Sequence, residues 1–208
     1  MGNRHARRAP ELSAQKETEV LEMTRKYYKL KVAGFERDLP LCPLNDKLMI
    51  AAFVIFGDTE LTCACAVELL RNAPAHDVMI TAESKGIPLI HEMARLEGMK
   101  RYVLARKSVK LYMTDVHRTE VNSITTTGTQ TLYLSGNDVE YLSGRRVLIV
   151  DDVISTGESL HAMEELVKDA GGTVVGRMSI LAEGDAIGRK DIQYLAPLPL
   201  FDREGNEI

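Results

Sequence analysis

Cysteine is scarce in this chain: Cys42, Cys63 and Cys65 are the only three in 208 residues. An odd count without paired spacing excludes a disulfide framework and points to reduced, packed thiols. Cys63 and Cys65 with His91 could be drawn as metal ligands, but a second cysteine pair is lacking and the two lie in a helix-like run. That favours core packing over a metal centre. No apolar run is long enough to cross a bilayer. No apolar stretch follows Arg4, Arg7 and Arg8, so they do not open a secretory signal. Ala6 stands where a myristoylation motif after Met1-Gly2 needs Ser or Thr. A basic excess is missing too. With 26 basic and 30 acidic residues the net charge is −4, which argues against a protein built to coat nucleic acid. The expectation is a cytoplasmic protein with neither a membrane nor a nucleic-acid partner. Internal repeats and low-complexity segments are also absent, and residues 1–15 read as a polar tail.

What is present is ordinary for a globular chain: 45% hydrophobic and 27% charged residues, enough to bury a sizeable core. Apolar spacing predicts a helix over Glu17–Tyr28. Gly34, Pro40 and Pro43 mark Leu30–Pro43 as irregular. Leu48–Phe56 reads as a strand, and Asp58 or Thr59 caps a helix that runs to Leu70. Further strands are expected at Asp77–Thr81, Tyr102–Ala105, Thr129–Leu134 and Thr173–Leu181. Helices are expected up to Leu96 and over Leu160–Ala170, the latter stopped by Gly171-Gly172. Arg106–Thr127 is long, polar and without clear period, as functional or mobile connections are. Strands alternating with helices predict an α/β, doubly wound, mostly parallel sheet.

One stretch organises the rest: Val147–Ser159, VLIVDDVISTGES. Val147–Val150 is the apolar run of a strand buried on both faces. It delivers Asp151 and Asp152 to its C-terminal end, then passes through Ser155, Thr156, Gly157 and Ser159 into a helix. The carboxyl ends of parallel strands are where such sheets bind ligands, and orphan N–H groups at a helix start attract phosphate. The lysine of a nucleoside-triphosphate loop is missing before the Ser or Thr. Two acids precede the loop instead, as suits a ligand that joins a phosphate to a diol or carries Mg²⁺.

Four apolar residues, two acids, two apolar residues, Ser-Thr-Gly and a hydroxyl residue two positions later resemble the 5-phosphoribosyl-1-pyrophosphate (PRPP) motif of the type I phosphoribosyltransferases. The resemblance spans about residues 34–201 and leans to the purine branch. GFERDLPL (34–41) is similar to the hood of the adenine enzymes, and YLAPLPLF (194–201) to their ending. It implies a small N-terminal hood with its tail and helix over residues 1–45 and a core domain over 46–208. It implies that Asp151 and Asp152 hold the ribose hydroxyls and, through water, Mg²⁺. Ser155, Thr156, Gly157, Glu158 and Ser159 would take the 5′-phosphate. Phe35, Arg37 and Val153 would line the base site.

Two more segments fit that picture. Ala82–Gly86 follows a buried strand, and Glu83, Ser84, Lys85 and Gly86 resemble the family's pyrophosphate loop. RKSVK offers Arg106, Lys107 and Lys110, similar to the Arg-Lys-x-x-Lys of the purine enzymes. Pre-placed cations stabilise a leaving pyrophosphate. Leu111–Thr127 would be a lid that excludes water. The adenine enzymes carry a Glu-Tyr pair at its far end, where this chain has threonines, Thr126 and Thr127 among them. Asp115, His117 and Glu120 are the substitutes for the acid/base, and the catalytic set is Asp151, Asp152, Lys85, Asp115 and Glu120. The implied reaction is transfer of ribose 5-phosphate from PRPP to a purine base, adenine favoured, giving nucleotide and pyrophosphate in purine salvage. The implied cofactor is Mg²⁺ and the implied assembly a homodimer. Xanthine, hypoxanthine and guanine remain open. The rival is a non-catalytic, PRPP-sensing purine regulator, because such regulators share nearly the same SKGIPL stretch (84–89). About 45 residues before the first strand are too few for their winged helix.

Overall fold

The computed structural model describes residues 26–122 and 129–208. The polar tail, the predicted helix up to residue 25, Thr126 and Thr127 lie outside the described residues. From Tyr27 the chain is extended, not helical. β1 (Tyr27–Val32) and β2 (Phe35–Pro43) form an antiparallel hairpin, in register from Tyr27 opposite Pro40 to Val32 opposite Phe35. This corrects both the helix ending at Tyr28 and the irregular reading of Leu30–Pro43. The turn is the reason: Ala33 and Gly34 both have positive φ, +49° and +81°, as the two central residues of a tight hairpin require. Tyr28, Leu30 and Val32 lie on the inward face.

β3 is short, Met49–Ala51, and the extended chain after it alternates buried Phe53 and Ile55 with exposed Val54 and Phe56. β2 and β11 (Leu200–Phe201) flank β3, giving an antiparallel sheet in the order β1-β2-β3-β11. That sheet takes strands from both sides of residue 45.

The central layer is parallel. β4 (Val78–Ala82), β5 (Val103–Ala105), β8 (Arg146–Ile154), β9 (Thr173–Glu183) and β10 (Gln193–Leu198) stand in the order β10-β9-β8-β4-β5. α1 (Thr59–Leu70) and α2 (Ile87–Leu96) bury Leu61, Leu69, Leu89, Ile90 and Met93 on one face, in a core shared with the antiparallel sheet. α3 (Gly136–Leu142) and α4 (Glu158–Asp169) bury Leu142, Leu160, Met163 and Leu166 on the other. Asp58 caps α1, accepting the Leu61 N–H at 3.1 Å. The polar stretch after Arg106 is not all irregular: β6 (His117–Asn122) pairs antiparallel with β7 (Thr129–Leu134).

Candidate active site

β8 carries the chemistry because of where it sits. Val147–Val150 are fully buried between β4 and β9, and two acids near the strand's carboxyl end, Asp151 and Asp152, are 8% and 4% exposed. Asp151 Oδ1 accepts the Asp152 N–H at 2.9 Å and the Ser84 hydroxyl at 3.3 Å. Asp152 Oδ2 lies 3.2 Å from Lys85 Nζ, yet it is buried and accepts no hydrogen bond. The ammonium gives its short bond to the Phe53 carbonyl, at 2.7 Å. Of the two buried acids, Asp152 is the one beside the ammonium, while Asp151 is held by Ser84 and the Asp152 N–H. Burial first, and then the neighbouring Asp152 carboxylate, push the Asp151 carboxyl well above its ordinary range.

The loop between β4 and α2 lies against the end of β8. Gly86 makes that approach possible: a Cβ there would stand 2.8 Å from Thr81 Oγ1, 3.1 Å from Asp151 Oδ1 and 3.3 Å from Asp151 Cα. The Glu83 N–H donates to Ala105 O at 2.8 Å, tying the loop to β5. The Glu83 carboxylate turns to the basic segment. Oε1 lies 3.2 Å from Arg106 and 3.3 Å from Lys110, and Oε2 accepts the Lys107 N–H at 3.1 Å. Burial would raise Glu83, but the Lys107 N–H, Lys110 and Arg106 outweigh it and hold the carboxyl low. Glu83 thus organises the cations rather than presenting itself to an anion.

On the other side of Asp151, residues 155–159 wrap a small cavity of about 110 Å³, lined by Asp151, Ser155, Thr156, Gly157 and Ser159 among others. Gly157, at φ +84°, is the N-cap of α4 and brings no side chain of its own, while the Thr156 hydroxyl accepts the Glu158 N–H at 3.5 Å. N–H groups at a helix start beside a hydroxyl-lined hollow suit an anion. The Arg189 guanidinium closes its rim, close enough that a Cβ on Gly157 would come within 2.5 Å of it, while Asp191 holds the other two nitrogens at 3.0 and 2.6 Å.

The structure brings together Lys85, Ser84, Gly86, Asp151, Asp152, Val153 and the 155–159 loop, with Arg106 and Lys110 gathered on Glu83 and Lys107 exposed beside them. Phe35 and Arg37 stand on β2. The Arg37 guanidinium lies 5.3 Å from the Phe35 ring and is held by Asp58 at 2.6 and 3.1 Å. Asp115, exposed and left-handed at φ +48°, packs against Gly136 at the start of α3. His117 and Glu120 lie on β6, opposite Leu134 and Thr131. Residue-by-residue reading missed Glu183 and Arg189. Glu183 ends β9, two residues past Leu181, which pairs with Val153, so only strand register brings it to the site.

Comparison with known proteins agrees with this geometry. The phosphoribosyl transferase domain model matches residues 64–196. The adenine phosphoribosyltransferase of Thermotoga maritima is 31% identical over 82% of this chain and 91% of its own length. That of Mycobacterium avium is 31% identical over 81% and 89%. Among solved structures, the adenine phosphoribosyltransferase of Thermoanaerobacter pseudethanolicus superposes with a TM-score of 0.57 at 24% identity, covering 69% of this chain and 84% of that one. The Saccharomyces cerevisiae enzyme, solved with an imino-altritol bisphosphate and adenine, also gives 0.57 at 19%, covering 89% and 97%. These two superpositions show a common fold. With the domain model spanning the loops after β4 and β8 and the acid pair, the chain belongs to the phosphoribosyl transferase family.

Proposed function

We propose that this protein transfers ribose 5-phosphate from PRPP to a purine base, adenine first, and releases pyrophosphate, as a cytoplasmic homodimer in purine salvage. One observation carries the reading: a buried acid pair flanked by two anion loops, Ser84–Gly86 with its cations on one side and 155–159 on the other. A sugar diol between two phosphate groups matches that order of charges. The named relatives support adenine. The hypoxanthine/guanine enzyme of Methanotorris igneus, 31% identical over 56% of this chain, keeps those bases in the test. Free Cys42, Cys63 and Cys65 fit a reducing compartment, and no described helix is long and apolar enough to cross a membrane. Exposed Val54, Phe56, Leu111 and Tyr112 support a subunit contact.

In this reading the α4 N–H groups and the hydroxyls of Ser155, Thr156 and Ser159 receive the 5′-phosphate, and Asp151 and Asp152 accept from the ribose hydroxyls. Lys85 and the N–H groups of the 84–86 loop, with Arg106, Lys107 and Lys110, face the pyrophosphate. As its bond to C1 breaks, negative charge builds on the leaving oxygen and these groups, already in place, stabilise it. The strands β1–β3 and β11 cover the base. Magnesium fits the donor set: Asp152 Oδ2 is a buried oxygen without a hydrogen bond, and Asp151, also buried, stands next to it. No group of three or more metal-ligating side chains occurs among the described residues, so the acids would share the ion with ligand oxygens. When bound, the ion neutralises pyrophosphate charge.

The test is pyrophosphate release from PRPP and Mg²⁺ with adenine, hypoxanthine, guanine, xanthine and a pyrimidine in turn. Turnover with adenine leading is expected. PRPP binding by calorimetry without release from any base would make the protein a sensor. Glu83→Gln, which frees the 106–110 segment from its anchor, should raise KM for PRPP about tenfold, equivalent to roughly 1.4 kcal/mol. An unchanged KM in initial-rate assays would remove Glu83 from that role.

A further inference from the structure

Sheet order separates the two sides of the ribose. Lys85, Arg106, Lys107 and Lys110 all belong to the ends of β4 and β5, which lie on one side of β8. A group leaving C1 toward that side must be displaced from the opposite one, if the orbitals are to align. The opposite side is the end of β9. There the strand finishes at Glu183, level with Leu198 of β10 and one residue past Ala182, the partner of Ile154.

Glu183 is half-buried, one position beyond the pairing of Ala182 with Ile154, which sets it beside Ser155. Around it, Lys85 faces it from the β4–α2 loop, with Asp152 beyond that ammonium; Leu198 of β10 brings no charge. Arg189, on its own loop, is engaged by Asp191, and Asp185 is exposed. A carboxylate at this place is a poor ligand for a phosphate but a good one for an N–H. We infer that Glu183 accepts the ring proton of the incoming purine. The inference rests on the transfer reaction proposed above. One imidazole nitrogen of the base gives its lone pair to C1, the C1–O bond breaks, and its electron pair leaves with pyrophosphate. The proton on the other imidazole nitrogen passes to the Glu183 carboxylate. Burial, partly offset by Ser155 and Lys85, raises this carboxyl and makes it a stronger base than an ordinary glutamate.

Glu183→Gln should lower kcat/KM for adenine about 100-fold or more. PRPP affinity by calorimetry should stay within about twofold, a fold-change of roughly 0.4 kcal/mol. Wild-type kcat/KM should climb with pH through an acidic limb set above the usual carboxylate range, and the variant should lack that limb. Glu183→Asp should recover part of the rate. A variant that keeps the limb, or loses PRPP affinity in parallel with rate, overturns the inference. A readout independent of turnover separates the two claims. At acidic pH, where the protonated Glu183 carboxyl can donate to the proton-free imidazole nitrogen of the nucleotide, AMP should bind more tightly than ribose 5-phosphate, and Glu183→Ala should shrink that advantage about tenfold (roughly 1.4 kcal/mol) without weakening ribose 5-phosphate. An undiminished advantage overturns the role of Glu183. A wild-type protein that turns over no purine overturns the transfer reading instead.

Discussion

Replacing Asp151 and Asp152 together by asparagine should abolish PRPP binding and leave the fold intact. Two charge-assisted hydrogen bonds to the ribose are lost, at about 1.5–3 kcal/mol each, which is roughly 10²–10⁴ in affinity. The fold should survive because the pair does not hold it together. The two acids are buried side by side with only Asp152 against the Lys85 ammonium, and Lys85 keeps its bond to the Phe53 carbonyl in the variant. The pH dependence separates this from general damage. Asp151 has a folded-state pKa raised above its unfolded value, so the native state holds the extra proton. Stability from this group is therefore full at low pH and is lost as pH rises from the ordinary carboxylate range through the raised one. The double variant should lack that decline and melt no lower than wild type at neutral pH. Unchanged PRPP affinity in calorimetry would mean that the acids do not hold the sugar.

Gly86→Ala should be the most damaging single-methyl change at the site, lowering kcat/KM about 100-fold, roughly 2.7 kcal/mol. The backbone is not the obstacle, since Gly86 has φ −67°, a conformation alanine adopts freely. Space is. The added carbon would meet Thr81 Oγ1 at 2.8 Å and the Asp151 backbone at 3.3 Å. Thr81 is fully buried and β8 is held on both sides, so the 84–86 loop must lift, taking Ser84 and Lys85 off the acid pair. Overpacking of this kind costs about 1–3 kcal/mol. Gly157→Ala makes the opposite case. Its φ is left-handed and would strain an alanine by about 1–2 kcal/mol, but the clash is with the far end of Arg189, which can swing away. Initial rates of the two variants should rank Gly86→Ala well below Gly157→Ala; equal rates would show that the 84–86 loop need not touch β8.

The parallel layer and the loops after β4 and β8 were legible because each is encoded locally. An apolar run such as Val147–Val150 admits one environment, and the acids and small residues that follow fall in fixed register with it. Asp58 announced the start of α1 by side-chain chemistry alone. The hairpin was hidden by its own punctuation. Pro40 and Pro43 read as breakers, yet Pro40 accepts the Ala52 N–H at 2.9 Å and stands in the strand, while Ala33-Gly34 supplies the turn. Glu183 was hidden for another reason. Nothing near it in sequence marks it, and its neighbours Ser155 and Lys85 are brought to it only by the pairing of β8 with β9. Charges that matter through register are invisible until the register is known.

The antiparallel sheet closes with its last strand. β1, β2 and β3 are synthesised first, but β3 waits for Leu200 and Phe201 to supply its second edge. At 5–20 residues per second that interval is roughly seven to thirty seconds of translation. Through that time β3 has an open edge able to pair with another chain. A growing polypeptide would thus present the loops after β4 and β8 before that sheet is whole, and crowded polysomes would favour mispaired edges. Soluble yield should therefore depend more on translation speed across residues 52–199 than on the stability of the finished fold.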